Sequence, residues 1–159
     1  MSGIADNDYI QKAVDRYSDT ILRVAFQYTR SRHDAEDIMQ DVFISMLKQP
    51  SEFESDSHLK AWLIRVTINK SKDFVKSSKR KTVELLDIYS YNFEPEEASI
   101  LTMMQKLSPF DRNIIYLFYF ENYSAKEIAD ILKVKEGLVF VRMSRARQKL
   151  KILLENQEI

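Results

Sequence analysis

Between residues 8 and 30 apolar side chains recur at helical spacing, as Ile10, Val14, Tyr17, Ile21, Val24 and Tyr28, with Leu22 and Ala25 widening the stripe. The pattern predicts one long helix ending near Ser31. A second is predicted over 34–49, where Ala35, Ile38, Met39, Val42, Phe43, Met46 and Leu47 share a face and Pro50 ends the run. Residues 50–57 are polar apart from Phe53 and read as a loop. A third helix is expected from about His58 to Lys79, with a core stripe of Leu59, Leu63, Val66 and Phe74. Periodicity is lost over 83–97, where Pro95 and a cluster of acids mark a linker. Helices resume near Ala98. Ser108-Pro109-Phe110-Asp111 is a start signal, with Ser as N-cap, Pro at the first helical position and a carboxylate in the first turn. That helix carries Ile114, Ile115, Leu117 and Phe118. Ser124-Ala125-Lys126-Glu127 is a capping box opening a short helix to about Leu132; a turn over 133–136 leads into a long helix reaching about Leu154. The expected fold is all-α: two small helical domains, 1–82 and 98–159, joined by the linker 83–97.

Composition agrees with long helices. Glycine occurs twice and proline three times in 159 residues, against usual shares of about 7% and 5%. There is no cysteine, hence no disulfide framework or Cys-based zinc site, and His33 and His58 cannot build a metal site alone. No basic start followed by an apolar run marks a secretory signal, and no apolar stretch nears the roughly 18–20 residues that span a bilayer. The expectation is a soluble cytoplasmic protein without cofactor, metal or small-molecule substrate. An enzyme is disfavoured, for there is no nucleophile–base pair and no phosphate-cradling glycine loop.

The net charge of zero hides strong segregation. Residues 60–81 carry eight bases and one acid, residues 142–151 five bases and no acid, and residues 84–97 five acids and no base. Two basic surfaces separated by an acidic connector suit nucleic acid. Asp34, Asp37 and Asp41 share a helix face with Gln40 beside them. Like charges at that spacing repel by a few tenths of a kcal/mol each. A solvated face is the plain reading, a docking surface for a basic partner the sharper one. Phe53, Asp56 and Ser57 precede a helix holding Trp62, Arg65, Asn69, Lys72 and Lys76, and such interleaving of aromatics, bases and an amide suits unstacked bases and a phosphate backbone. Core packing is the competing role for Trp62. The capped pair of helices after Ser124, the second basic, has the form of a helix-turn-helix.

Several segments together resemble RNA polymerase sigma factors of the extracytoplasmic-function group. Asp34-Ala35-Glu36-Asp37-Ile38-Met39-Gln40-Asp41-Val42-Phe43 is similar to the polymerase-binding helix of sigma region 2, D-A-E-D-x-x-Q-D/E-x-F. Trp62-Leu63 with Val66 and Asn69 resembles W-L-x-x-I/V-x-x-N of the promoter-melting helix. Ser124-Ala125-Lys126-Glu127-Ile128-Ala129, Gly137 and Arg142-Met143-Ser144-Arg145-Ala146-Arg147 resemble the region 4 helix-turn-helix. The resemblance implies that Asp34, Asp37, Gln40 and Asp41 meet the clamp helices of the polymerase largest subunit. It implies that Phe53, Asp56, Ser57, Trp62, Arg65, Asn69, Lys72 and Lys76 read and melt the −10 element. Lys126, Gly137, Phe140, Arg142, Arg145 and Arg147 would then lie at the −35 element. The linker would run through the polymerase cleft, region 4 would also meet the flap region, and a cognate anti-sigma factor would clamp both domains. The rival readings are a helix-turn-helix regulator acting without polymerase and a sigma-like adaptor.

One stretch departs from the family. Where the usual recognition helix reads G-T-V-K-S-R, this chain has Gly137-Leu138-Val139-Phe140-Val141-Arg142. Lys133 stands where glycine is common and Lys135 where a capping Ser or Pro is common. Apolar side chains can contact thymine methyls, or they can bind a protein.

Overall fold

The computed structural model describes residues 7–49, 52–77 and 102–157. The chain divides into two compact units, 1–87 and 88–159. The linker expected over 83–97 lies outside the described residues.

The first unit packs three helices on one another: α1 (Asn7–Thr29), α2 (Arg32–Leu47) and α3 (Asp56–Ser77). α1 closes where Arg30 takes a left-handed backbone, φ 56°, and its N–H bonds to the Phe26 carbonyl at 2.9 Å. Ser31 then caps α2, its side chain accepting from the Asp34 N–H. The Thr29 hydroxyl brackets Ser31, donating to its carbonyl and accepting from its N–H. α2 therefore starts two residues ahead of the expected 34, because Ser31 and Asp34 form a start signal of their own. Ser55 plays the same part for α3, its Oγ accepting from His58 N–H at 3.1 Å.

The buried face of α3 differs from expectation. It consists of Leu59, Leu63, Ile64, Thr67, Ile68 and Ser71, while Val66 and Phe74 are only half-buried. Thr67 can lie inside because its hydroxyl donates to the Leu63 carbonyl at 2.7 Å, which removes the cost of burying it. Leu47 was expected inward and is 42% exposed. Ala35, Ile38, Val42 and Met46 complete the inner face of α2 without it.

The second unit holds α4 (Pro109–Tyr119), α5 (Ala125–Leu132) and α6 (Glu136–Gln157), preceded by a helical turn over 102–107. Helix starts follow the sequence signals. Ser108 accepts from Asp111 N–H. Ser124 and Glu127 satisfy each other's backbone N–H groups at 3.1 and 2.9 Å. Ile114, Ile115 and Leu117 of α4, Ile128 and Ile131 of α5 and Val139, Met143 and Ala146 of α6 form the core. Among the described residues no helix is long and apolar enough to cross a membrane.

The turn between α5 and α6 hinges on Lys133, left-handed at φ 60°, ψ 45°, with its N–H bonded to the Ala129 carbonyl. A side chain there is strained by about 1 kcal/mol, a strain that glycine lacks. Lys133→Gly is expected to stabilise the second unit by up to about 1 kcal/mol, read as a higher urea midpoint at unchanged slope.

Candidate nucleic-acid and partner interfaces

Three surfaces carry the candidate residues, each within one unit. On α2, Asp37, Gln40 and Asp41 are exposed and Asp34 is half-buried beside the Ser31 cap. Asp37 has a carboxylate–imidazole contact with His33 at 3.7 Å, both groups largely in water. Ile44, 48% exposed, continues the same stripe one turn on, so the face is acidic at its start and apolar at its end. Among the described residues no cluster of side chains has the makeup of a metal site.

The second surface begins in the loop before α3. Phe53 packs against Trp62 and His58, with ring centroids 5.2 Å apart in each case, and its N–H bonds to the Tyr9 hydroxyl at 3.0 Å. Trp62 is thus half-buried as part of an aromatic cluster rather than set in the helical core. Along α3 the residues Trp62, Arg65, Asn69, Lys72 and Lys76 follow at spacings of three and four, which puts them on one face. Asn69, Lys72 and Lys76 are exposed on it. Ser57 is exposed at the helix start.

Asp56 is engaged within the fold. One carboxylate oxygen pairs with Arg16 at 2.9 Å and the other accepts the Tyr17 hydroxyl. Together with the Tyr9 bond this ties the loop to α1. Neither Arg16 nor Tyr9 stands out in the sequence, and Tyr17 counts there only as a member of an apolar stripe. The available signal is a hydroxyl-bearing ring flanked in the stripe by the aliphatic Val14 and Ile21. Burial first, then the bond to Asp56, push the Tyr17 phenol up to about 12, with Arg16 opposing, against an ordinary 10.0. A folded value above the unfolded one means that the contact contributes fully below about pH 10 and fades as pH rises toward 12. Melting temperature followed from pH 9 to 12 should fall more steeply for the natural chain than for Tyr17→Phe.

The third surface is the α5–α6 pair. Lys126, Lys133, Lys135, Gly137 and Arg145 are exposed, as are Leu138, Phe140 and Val141. Arg142 leans back onto α4, paired with Asp111 at 3.5 Å and set over the Phe110 ring. Arg147 lies over Phe118 and Tyr119 and donates to Met143 Sδ. Of the three arginines expected at DNA, Arg142 and Arg147 contact α4, Arg147 while still exposed, whereas no such contact is seen for Arg145 among the described residues. On the far side of α6 an apolar groove of about 580 Å³ runs between Met103, Ile115, Tyr119 and Phe120 on one wall and Leu150 and Leu154 on the other. The sequence reading missed this groove, since its named walls come from segments thirty or more positions apart.

Known proteins resemble the chain in both units. The sigma-70 region 2 family model matches residues 13–81 and the sigma-70 region 4 model matches residues 97–150. The extracytoplasmic-function RNA polymerase sigma factor SigW of Bacillus subtilis is 28% identical, over 92% of this chain and 89% of its own. A solved structure of CnrH in complex with the cytosolic domain of CnrY aligns with a TM-score of 0.71 at 26% identity, over 96% of this chain and 91% of that one. The sigma factor RpoE of Bartonella quintana, solved with the anti-sigma factor NepR, shares the fold with a TM-score of 0.74 at 22% identity, over 94% and 98% of the two chains.

Proposed function

Because the chain belongs to the sigma-70 family, through its regions 2 and 4, and to the extracytoplasmic-function group within it, we propose the following division of labour among its surfaces as it directs RNA polymerase to promoters. The acidic face of α2, Asp34, Asp37, Gln40 and Asp41, docks on the clamp helices of the polymerase largest subunit. A basic partner explains why like charges are kept on one helix face at a cost to the free protein. The groove between α4 and α6 takes the polymerase flap region.

The α3 surface works on the −10 element. Phe53 with Trp62 offers ring surface for an unstacked base, Ser57 and Asn69 offer hydrogen bonds, and Arg65, Lys72 and Lys76 hold the backbone. Flipping a base costs a few kcal/mol; stacking, at about 1–3 kcal/mol per base, offsets it, so melting and recognition become one event. Asp56 acts by holding the loop through Arg16 and Tyr17. The α5–α6 pair meets the −35 duplex with Lys126, Gly137, Phe140 and Arg145, while Arg142 and Arg147 position α6 on α4. Sigma factors act as non-enzymatic transcription factors; the chemistry belongs to the polymerase and the place of work is the cytoplasm. By analogy with the CnrH and RpoE complexes, an anti-sigma factor covers the docking face until release.

The observation that carries this reading is the presence, in one chain, of an exposed acidic helix face in the first unit and a helix-turn-helix opened by a capping box in the second. Gel filtration of the purified chain with bacterial core RNA polymerase, followed by run-off transcription, tests it. Co-elution with promoter-dependent transcripts supports it. A chain that binds duplex DNA yet never joins core is instead a free regulator.

A further inference from the structure

We propose that the apolar stripe at the start of α6 is a thymine reader: Phe140 and Val141, with Leu138 at the edge, contact thymine 5-methyl groups in the major groove of the upstream promoter element. This rests on the reading of α5–α6 as the duplex-facing part of a sigma factor, and adds what that part discriminates.

Val139, Met143 and Ala146 are buried and fix the inner face of α6. The outer face, at spacings of three and four, is Gly137, Phe140, Val141, Ser144, Arg145 and Gln148. Phe140 is 56% exposed, Val141 47% and Leu138 42%. After Glu136 at the first position of the helix, this face offers no side-chain hydrogen bond until Ser144 and Arg145. The apolar group that a base pair presents in the major groove is the thymine methyl. Gly137 adds closeness, because a Cβ built there meets nothing within 4 Å and the helix start is free to approach the groove floor.

Charge selects duplex DNA as the occupant. Residues 126–154 carry eight bases and three acids, Glu127, Asp130 and Glu136, and no acid follows Glu136 in that span; Lys126, Lys133 and Lys135 are exposed. Self-pairing of this face across a two-fold axis would set like charges against each other. A polyanion meets the same cations favourably.

The test uses holoenzyme reconstituted from the full chain and core RNA polymerase. Duplexes are selected from a pool randomised across the upstream window. Each thymine of the enriched element is then replaced by deoxyuridine, which removes the methyl and leaves every hydrogen-bonding group. We expect thymine enriched at one or two positions and affinity lowered about fourfold per methyl removed, the size of one buried methyl. In the double variant Phe140→Ala, Val141→Ala the thymine-to-deoxyuridine ratio should collapse to about one, at a melting temperature close to the natural chain's, since both side chains are exposed and outside the core. Lys135→Ala should weaken all duplexes alike and keep the ratio. An element without thymine preference, or equal binding of thymine and deoxyuridine by the natural chain, overturns the inference while leaving the sigma reading standing. Loss of a captured protein by the double variant at unchanged DNA affinity makes the stripe a protein contact and overturns it likewise. A chain that forms no holoenzyme defeats the sigma reading and this inference together.

Discussion

Asp37→Lys with Asp41→Lys is expected to abolish co-elution with core RNA polymerase, lowering affinity by more than about a hundredfold, since each like-charge juxtaposition at an interface costs several kcal/mol. The fold should survive the change. Both carboxylates are exposed, and only the long contact between Asp37 and His33 is lost. The substitution also relieves the repulsion within the Asp34, Asp37 and Asp41 run, a matter of tenths of a kcal/mol. Circular dichroism and melting temperature should therefore stay close to the natural chain while binding disappears. Arg145→Ala, in the other unit, should leave co-elution intact and reduce only promoter binding. If the double reversal co-elutes as well as the natural chain, docking does not use this face of α2.

Arg112→Ala should unfold the second unit most readily of any single charge removal, with an expected loss of about 3 kcal/mol. Arg112 is 3% exposed, the one buried charged side chain among the described residues. Its Nη1 donates to the Leu107 carbonyl at 2.5 Å and reaches the Gln105 carbonyl at 3.4 Å. It thereby satisfies the end of the 102–107 turn and fastens it to α4. Truncation strands the buried Leu107 carbonyl, at about 1–3 kcal/mol for an unsatisfied group, and leaves a cavity besides. In a domain of this size such a loss lowers the melting temperature by roughly 12–24 °C. Calorimetry of the full chain gives the readout. A shift under a few degrees would mean that water replaces the guanidinium at no cost, and the tether assigned to Arg112 would be wrong.

Much of this architecture can be read from residue order alone. Helical spans follow from apolar recurrence, and the starts of α4 and α5 from Ser108 and Ser124, because capping is a contact between near neighbours. The strain at Lys133 was visible as a residue standing where glycine is common. The family resemblance could be drawn because its motifs are local runs, each on one helix. The Ser31 cap was equally local, and the two-residue error at the start of α2 came from passing over it.

What the tertiary structure decided has a different physical origin. Periodicity says that α3 has an inner face, yet its centre depends on where α1 and α2 press, so Thr67 and Ser71 are inside and Val66 and Phe74 at the margin. Asp56 reads from the sequence as a base-pocket candidate, and only the fold shows Arg16 and Tyr17, some forty positions earlier, on its two oxygens. Arg142 and Arg147 look like Arg145 as charges in a basic run, and only the fold shows rings of α4 beside the first two and Asp111 paired with Arg142. The order of residues thus determined the elements, their caps and the sign of each surface, because those follow from interactions within a few positions. Packing determined which charges are engaged and which remain available to a partner, because the groups that neutralise them arrive from distant parts of the chain.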